Sequence, residues 1–247
     1  MRYGRIASRL YNVMAASALI MQTLAFLSQK GGSGKTTLAV HTAVAAQEDG
    51  ERVVIVDTDL QKSATTWSDA RQSDTPAVAP VAAAALPDVI KASRHDAITL
   101  CIIDTAPHAA PDAARVAALA DLVVIPCRPT AFDLAAAGSA VEIVKAAGVR
   151  AVFVLSACPL RAPEIAETRA VLEGYGFPVA PVSISERRAF ARAVASGRAV
   201  TEFDGEGKAA QEIRALWHWF REQMKYGKNK DHRVSRVHQP QKRACGA

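Results

Sequence analysis

The sequence predicts a single α/β domain, a doubly wound and mostly parallel sheet flanked by helices on both faces. Three observations predict it. Short Val/Ile-rich runs recur with helix-length segments between them, which is the rhythm of strand–helix–strand units. The runs lack clean apolar/polar alternation, so each strand is buried on both faces. The first run leads directly into a glycine-rich loop that opens a helix. With 247 residues, half of them hydrophobic and only 6% aromatic, the chain can build one sizeable aliphatic core.

The first strand is expected at 23–28, "TLAFLS", followed by an alanine-rich helix at 35–48. "RVVIVD" at 52–57 is the second strand, and 63–72 the helix after it. A short apolar run at 77–81 and a helix at 86–94 precede "TLCIID", the strand at 99–104. A helix at 111–119 then leads to "LVVIP" at 122–126, and a longer one at 131–147 to "AVFVLS" at 151–156. The last helices are expected at 163–174, 186–196 and 207–225, with a seventh strand, "PVAPV", at 178–182. No internal repeat or linker interrupts 21–224, which reads as one domain.

The two ends differ from this body. The formal net charge is +6, and 225–247 alone supplies +6 through seven Lys and Arg against one Asp. Arg2, Arg5 and Arg9 add +3 within 1–20, so the middle carries about −3. Segment 225–247 is polar, basic and without an apolar period, and is expected to be a disordered tail. Segment 1–20 is expected to be a disordered or non-native extension. Its apolar stretch "VMAASALIM" runs straight into the first core strand without the spacer of a signal peptide. No run reaches the ~18 apolar residues that a membrane span needs. Cys101, Cys127, Cys158 and Cys245 have no metal-binding spacing. The first three sit in or just after apolar runs, as core filler suited to a reducing compartment.

The chemistry starts at 28–37, "SQKGGSGKTT". Gly31, Gly32 and Gly34 allow a tight turn and a close approach to phosphate oxygens, with Ser33 between them. The helix that begins at Lys35 presents free N–H groups to the anion. Lys35 is placed to neutralise the outer phosphates, and the Thr36 hydroxyl, followed by Thr37, to ligate Mg2+. Carboxylates are then needed at strand ends beside the loop. "RVVIVDTDLQ" supplies Asp57 and Asp59, and "TLCIIDTAP" supplies Asp104, which would hold Mg2+ through water. Each alone could be a helix cap; their order after one phosphate loop is what points to a metal-dependent site.

Lys30 is the departure from the ordinary phosphate-loop pattern. K-G-G-x-G-K-[ST]-T resembles the deviant Walker A motif of the ParA/MinD class of P-loop ATPases, over about 21–224. That resemblance implies ATP and Mg2+ as cofactors and a homodimer formed on ATP binding. It implies that Lys30 reaches the phosphates held by the partner subunit, as an arginine finger does elsewhere. Asp57-Thr58-Asp59-Leu60-Gln61 resembles the family's D-x-D-P-Q, in which the second aspartate, here Asp59, positions the attacking water and lies at the metal. Leu60 stands in place of proline, and Thr105-Ala106-Pro107-His108 in place of T-P-P-G. By the same analogy Pro181 marks the loop that contacts adenine.

Within the family, the late segments "PVAPVSISERRAFARAVASGRAVTEF" and "EIRALWHWF" look like small plasmid-partition ParA proteins. The resemblance implies slow, partner-stimulated ATP hydrolysis, nonspecific DNA as track, a centromere-binding partition protein as partner, and a cytoplasmic, nucleoid-associated place. Arg187, Arg188, Arg192 and Arg198 are the candidate phosphate-binding face, with 188 and 192 one helical turn apart. A MinD-like membrane cycler needs a bulky apolar helix face, whereas after Tyr226 only Val234 and Val237 are large and apolar. An ATP-binding adaptor with negligible turnover is the other alternative; it would be expected to lose Asp59 or Asp104, and both are present. Trp217 and Trp219 cannot share one helix face, so one of them is expected to meet a partner or a groove.

Overall fold

The computed structural model describes residues 21–107 and 110–237; the expected extension 1–20, His108 and 238–247 lie outside them. Six parallel strands form one sheet in the order β3-β2-β4-β1-β5-β6. They are β1 Gln22–Phe26, β2 Val53–Asp57, β3 Ala77–Pro80, β4 Leu100–Asp104, β5 Leu122–Cys127 and β6 Ala151–Leu155. Apolar residues occupy both pleat faces. Leu24 and Phe26 of β1 and Ile102 of β4 join one core layer. Their neighbours Ala25, Leu27 and Ile103 join the other. This is why the strands read as continuous apolar runs.

Helix α1 Lys35–Glu48 lies on the first face with α2 Ser63–Asp69, α7 Arg188–Ala195, α8 Val200–Phe203 and α9 Lys208–Val237. Helices α3 Leu86–His95, α4 Ala110–Leu119, α5 Ala131–Ala147 and α6 Glu164–Glu173 cover the second. Right-handed crossovers are the rule for such parallel units. Strand β1 is followed on one side by β4 and β2 and on the other by β5, so the chain changes direction at β1. The crevice beyond the carboxyl ends of β1 and β4 is where such sheets bind ligands.

Two expectations are corrected. Segment 178–182 is not a strand. It lies parallel to β6 through a single bridge, Phe153 to Val179, with the Phe153 amide donating to the Pro178 carbonyl at 2.9 Å. Pro178 and Pro181 have no N–H to continue a ladder. The last helix does not end at 225 but stays helical to Val237, so the first part of the tail expected to be disordered continues it. The first proline that would stop it is Pro240. The two tryptophans differ in burial. Trp217 is buried and donates from Nε1 to Asp49 at 2.9 Å, and Trp219 packs at the edge of the same layer against Phe220. The short helix α8 was not anticipated.

Candidate nucleotide and metal site

The loop between β1 and α1 is shaped for an anion. Gly32 and Gly34 have φ of +74° and +98°, in the left-handed region that favours glycine. Gly34 is the N-cap residue of α1 and no side chain caps the helix, so the amides of its first turn are left for a ligand. A Cβ on Gly34 would also meet the Ser156 side chain at 3.5 Å. Ser156, just past β6, donates to the Ser33 carbonyl at 2.6 Å and clamps the loop to the sheet.

Lys35 folds back into the crevice. Its Nζ donates to the Lys30 carbonyl at 3.2 Å. Burial lowers its pKa, and the charges of Asp104 and Asp59 oppose that shift. Asp104 ends β4, in register with Asp57 of β2 and Phe26 of β1. It is fully buried and neither carboxylate oxygen has a hydrogen-bond partner among the described residues. Burial pushes it up to about 7, against the Thr36 hydroxyl and the Lys35 ammonium, while Asp57 and Asp59 add to the rise.

Two orphaned carboxylate oxygens beside a threonine hydroxyl fit a hard cation that keeps most of its waters, as Mg2+ does. No cluster of three or more His, Cys, Asp or Glu side chains forms a metal cage among the described residues. When bound, Mg2+ would neutralise phosphate charge beside Thr36 and Asp104.

The turn after β2 is built by its own carboxylates. Asp57 is buried and satisfied, accepting from the Asp59 amide at 3.1 Å and from the amide and hydroxyl of Thr65, both at 3.0 Å. Asp59 accepts from the Gln61 amide at 2.9 Å and faces the crevice. Leu60 takes the outer corner, 92% exposed. Two cavities follow the loop. One of about 450 Å3 is lined by Gly31, Gly32, Lys35, Thr36 and Asp59, among others. The second, of about 310 Å3, lies between Ser156 and Phe190 and includes Ile184 and Ser185. Gly34, Thr37, Arg128 and Val194 line both, so the cavities adjoin as halves of one cleft.

The structure thus brings together Gly31, Gly32, Ser33, Gly34, Lys35, Thr36, Thr37, Asp59 and Asp104. Pro181 is exposed and lines neither cavity; the residues that do come later, from Ile184 onward. Lys30 also lines neither. It makes an ion pair instead with the buried Asp133 at 2.5 Å. The four arginines divide. Arg187 is held by Glu212 at 2.8 Å and lines the second cavity. Arg188, Arg192 and Arg198 are exposed, with Arg192 and Arg198 over the Phe203 ring at 5.3 and 5.8 Å.

Arg128 was missed by sequence reasoning. It follows β5, reaches both halves of the cleft and makes no ion pair among the described residues. No local motif distinguishes it; only the fold brings it beside the loop. Cys101, Cys127 and Cys158 are buried, and burial pushes their thiols up to about 12, 12 and 11, which fits core filler.

A glycine loop at the switch point of an open parallel sheet, with its lysine turned inward, defines a P-loop nucleotide-binding protein. Residues 24–200 match the family model described as the CobQ/CobB/MinD/ParA nucleotide binding domain. Maintenance of carboxysome distribution protein A of Gloeobacter kilaueensis is 32% identical over 209 residues, 82% of this chain and 93% of that protein. Protein ParA of Rhizobium radiobacter is 30% identical over 131 residues, 50% of this chain and 56% of that one. The septum site-determining protein MinD of Pyrococcus horikoshii, solved with Mg-ADP, shares the fold. Its TM-score is 0.68 over 80% of this chain and 95% of that one, at 19% identity. The chain belongs to the CobQ/CobB/MinD/ParA nucleotide-binding family, as a ParA/MinD-type ATPase.

Proposed function

We propose that the protein is an ATP-dependent dimerising ATPase of the partition type, which binds DNA nonspecifically and segregates a plasmid or other replicon. One observation carries the reading: Lys35 fills the crevice of its own loop, whereas Lys30 turns away from it. A second lysine that lines no part of its own phosphate site is available to a second copy's site. Relatives named for ParA and for carboxysome distribution support a positioning role.

In the cycle we propose, ATP and Mg2+ bind at 31–37, with Thr36 and Asp104 toward the metal. The adenosine enters the half of the cleft beside Ile184 and Phe190, and Arg128 contacts the nucleotide between the halves. Two subunits close face to face, and each Lys30 meets the terminal phosphate held by its twin. The closed dimer holds DNA through Arg188, Arg192 and Arg198. Asp59 positions the water for a slow hydrolysis that a centromere-binding partner protein stimulates, and opening releases the DNA. The protein acts in the cytoplasm, on the nucleoid.

The test measures Mg2+-dependent phosphate release, light scattering with and without ATPγS, and sedimentation with duplex DNA or anionic liposomes. ATP-dependent dimerisation and DNA sedimentation, both lost in Lys30→Ala, are expected. Sedimentation with liposomes in place of DNA would assign a membrane cycler, and binding without phosphate release an adaptor. Among the described residues no helix is long and apolar enough to cross a membrane.

A further inference from the structure

We propose that Arg71 is a positioning residue for the exposed arginines: through Glu202 it links the nucleotide cleft to Arg192 and Arg198, so that nucleotide sets how they meet DNA. This rests on the reading of that surface as the DNA contact. Arg71 follows α2, and its side chain is only 4% exposed. Its guanidinium grips Glu202 of α8 with two bonds, at 2.6 and 2.8 Å, and donates to the Gly197 carbonyl at 3.0 Å. It also stacks over the Trp67 ring at 4.9 Å. A largely buried ion pair adds little net stability over apolar packing. What a bidentate fork supplies is a fixed distance and orientation.

Arg71 stands at the far end of a helix that starts at the cleft. Thr65, in the first turn of α2, donates its amide and its hydroxyl to Asp57, both at 3.0 Å. Helix α2 is therefore tied to the turn that carries Asp59 and Gln61. Trp67 lines the phosphate half of the cleft together with those two residues, and its Nε1 donates to the Arg198 carbonyl at 3.2 Å. The contact has no slack. Gly197 has a φ of +64°, and a Cβ there would fall 2.4 Å from the Ala70 backbone, so the two segments meet backbone to backbone.

The segment that carries Arg198 has a second anchor. The Val200 amide donates to His41 Nδ1, inside α1, at 3.1 Å. The turn between α7 and α8 is thus pinned to α2 on one side and to α1 on the other, and these two helices flank the phosphate half of the cleft. A ligand that draws the Asp59 turn toward the start of α1 changes the spacing of the two anchors, and the turn tilts with them. Arg192 and Arg198, both over the Phe203 ring of α8, tilt as one group. Linkage makes the effect reciprocal, so DNA on the arginines raises nucleotide affinity by the same factor.

The full chain is compared as wild type, Arg71→Met and Glu202→Gln. Duplex DNA affinity is measured with and without Mg2+ and ATPγS, ATPγS affinity with and without DNA, and dimerisation by light scattering. Nucleotide is expected to tighten wild-type DNA binding at least about tenfold, and DNA to tighten ATPγS binding by the same factor. In Arg71→Met both factors should fall about fivefold while ATPγS-dependent dimerisation persists. Glu202→Gln keeps the shape but weakens the fork, and should fall in the same direction by less. If Arg71→Met loses DNA affinity equally with and without nucleotide, Arg71 only supports the surface and the link is overturned. Unchanged factors in Arg71→Met overturn it too, as does a loss of dimerisation, which would place the effect between subunits. If Arg71→Met does not fold, Glu202→Gln decides, and wild-type factors there overturn the link. Wild type that binds no DNA in either state sinks the DNA reading itself, whereas wild type that binds it equally in both sinks the link alone.

Discussion

At Lys35 burial and charge pull in opposite directions. Desolvation favours the neutral amine, and Asp104 and Asp59 favour the ammonium. A triphosphate would settle the contest toward the charged form, which is what a phosphate-site lysine requires. Lys35→Ala should therefore reduce ATP turnover by at least about 100-fold, the usual scale for losing a preorganised charge. Phosphate-release kinetics at saturating ATP measure this. His41 is a different case, a buried group that no motif announces. It lies inside α1, packs edge-on against Phe190 at 5.1 Å, and accepts from the Val200 amide at 3.1 Å. Burial lowers its pKa from 6.5 to about 3, with Glu202 opposing the shift. Between those values the unfolded chain binds the extra proton and the folded one does not. The stabilisation is complete above pH 6.5 and is lost as pH falls toward 3, by roughly a few kcal/mol in all. Urea titrations from pH 7 to 4.5 should show a shallower pH slope for His41→Leu than for wild type. Wild type and His41→Leu coinciding in slope would remove this account.

Among the elements, α1 and α5 have the bounds the sequence predicts, and the reason is local chemistry. Both begin at strong punctuation, Gly34 and the N-cap Thr130, and both continue through alanine-rich turns with one neighbour layer to satisfy. Segment 178–182 had strand-like composition too, yet its two prolines leave a single bridge to β6. Composition alone does not count hydrogen-bond donors. The phosphate-side residues were legible because one contiguous loop and two strand ends carry them. Arg128 and the residues from Ile184 to Phe190 were not legible as lining of the cleft, because two separate connections bring them to it. Helix α9 shows how a distant element holds the loop's own helix. Its Trp217 and Arg221 both bond Asp49 at the end of α1, while Phe220 meets Phe26 of β1 edge-on at 6.2 Å. Trp217→Ala would empty a fully buried site and leave Asp49 with a weaker partner set. A loss of about 3–5 kcal/mol is expected, read as a fall in denaturation midpoint. ATP affinity should drop with it, since the helix that opens the phosphate site loses its support.

For the whole molecule, the sheet gathers the chemistry at one edge, and the arginines show what remains outside. The sequence groups Arg187 with Arg188, Arg192 and Arg198, but the fold separates them by task. Arg187 is committed to Glu212 and Ser185, and so ties the start of α7 to α9 beside the second cavity. The other three stay exposed, and the Phe203 ring lies beneath two of them, Arg192 and Arg198; Arg198 also helps hold the nearby Glu202 carboxyl below its ordinary value. A surface of that kind can bind phosphates of any sequence through charge, with affinity that falls as salt rises. Replacing Arg188, Arg192 and Arg198 together with alanine should abolish ATP-dependent sedimentation with duplex DNA near physiological salt. It should also flatten the dependence of binding on salt, because each phosphate contact removed subtracts from that slope. Dimerisation and basal turnover should persist, since none of the three lines the phosphate half of the cleft. Arg187→Ala should behave in the opposite way. It frees Glu212 and opens the second cavity, so thermal stability and nucleotide affinity should fall while the salt slope of DNA binding stays as it was. A triple variant that still sediments with DNA at wild-type salt dependence would move the DNA contact elsewhere on the molecule.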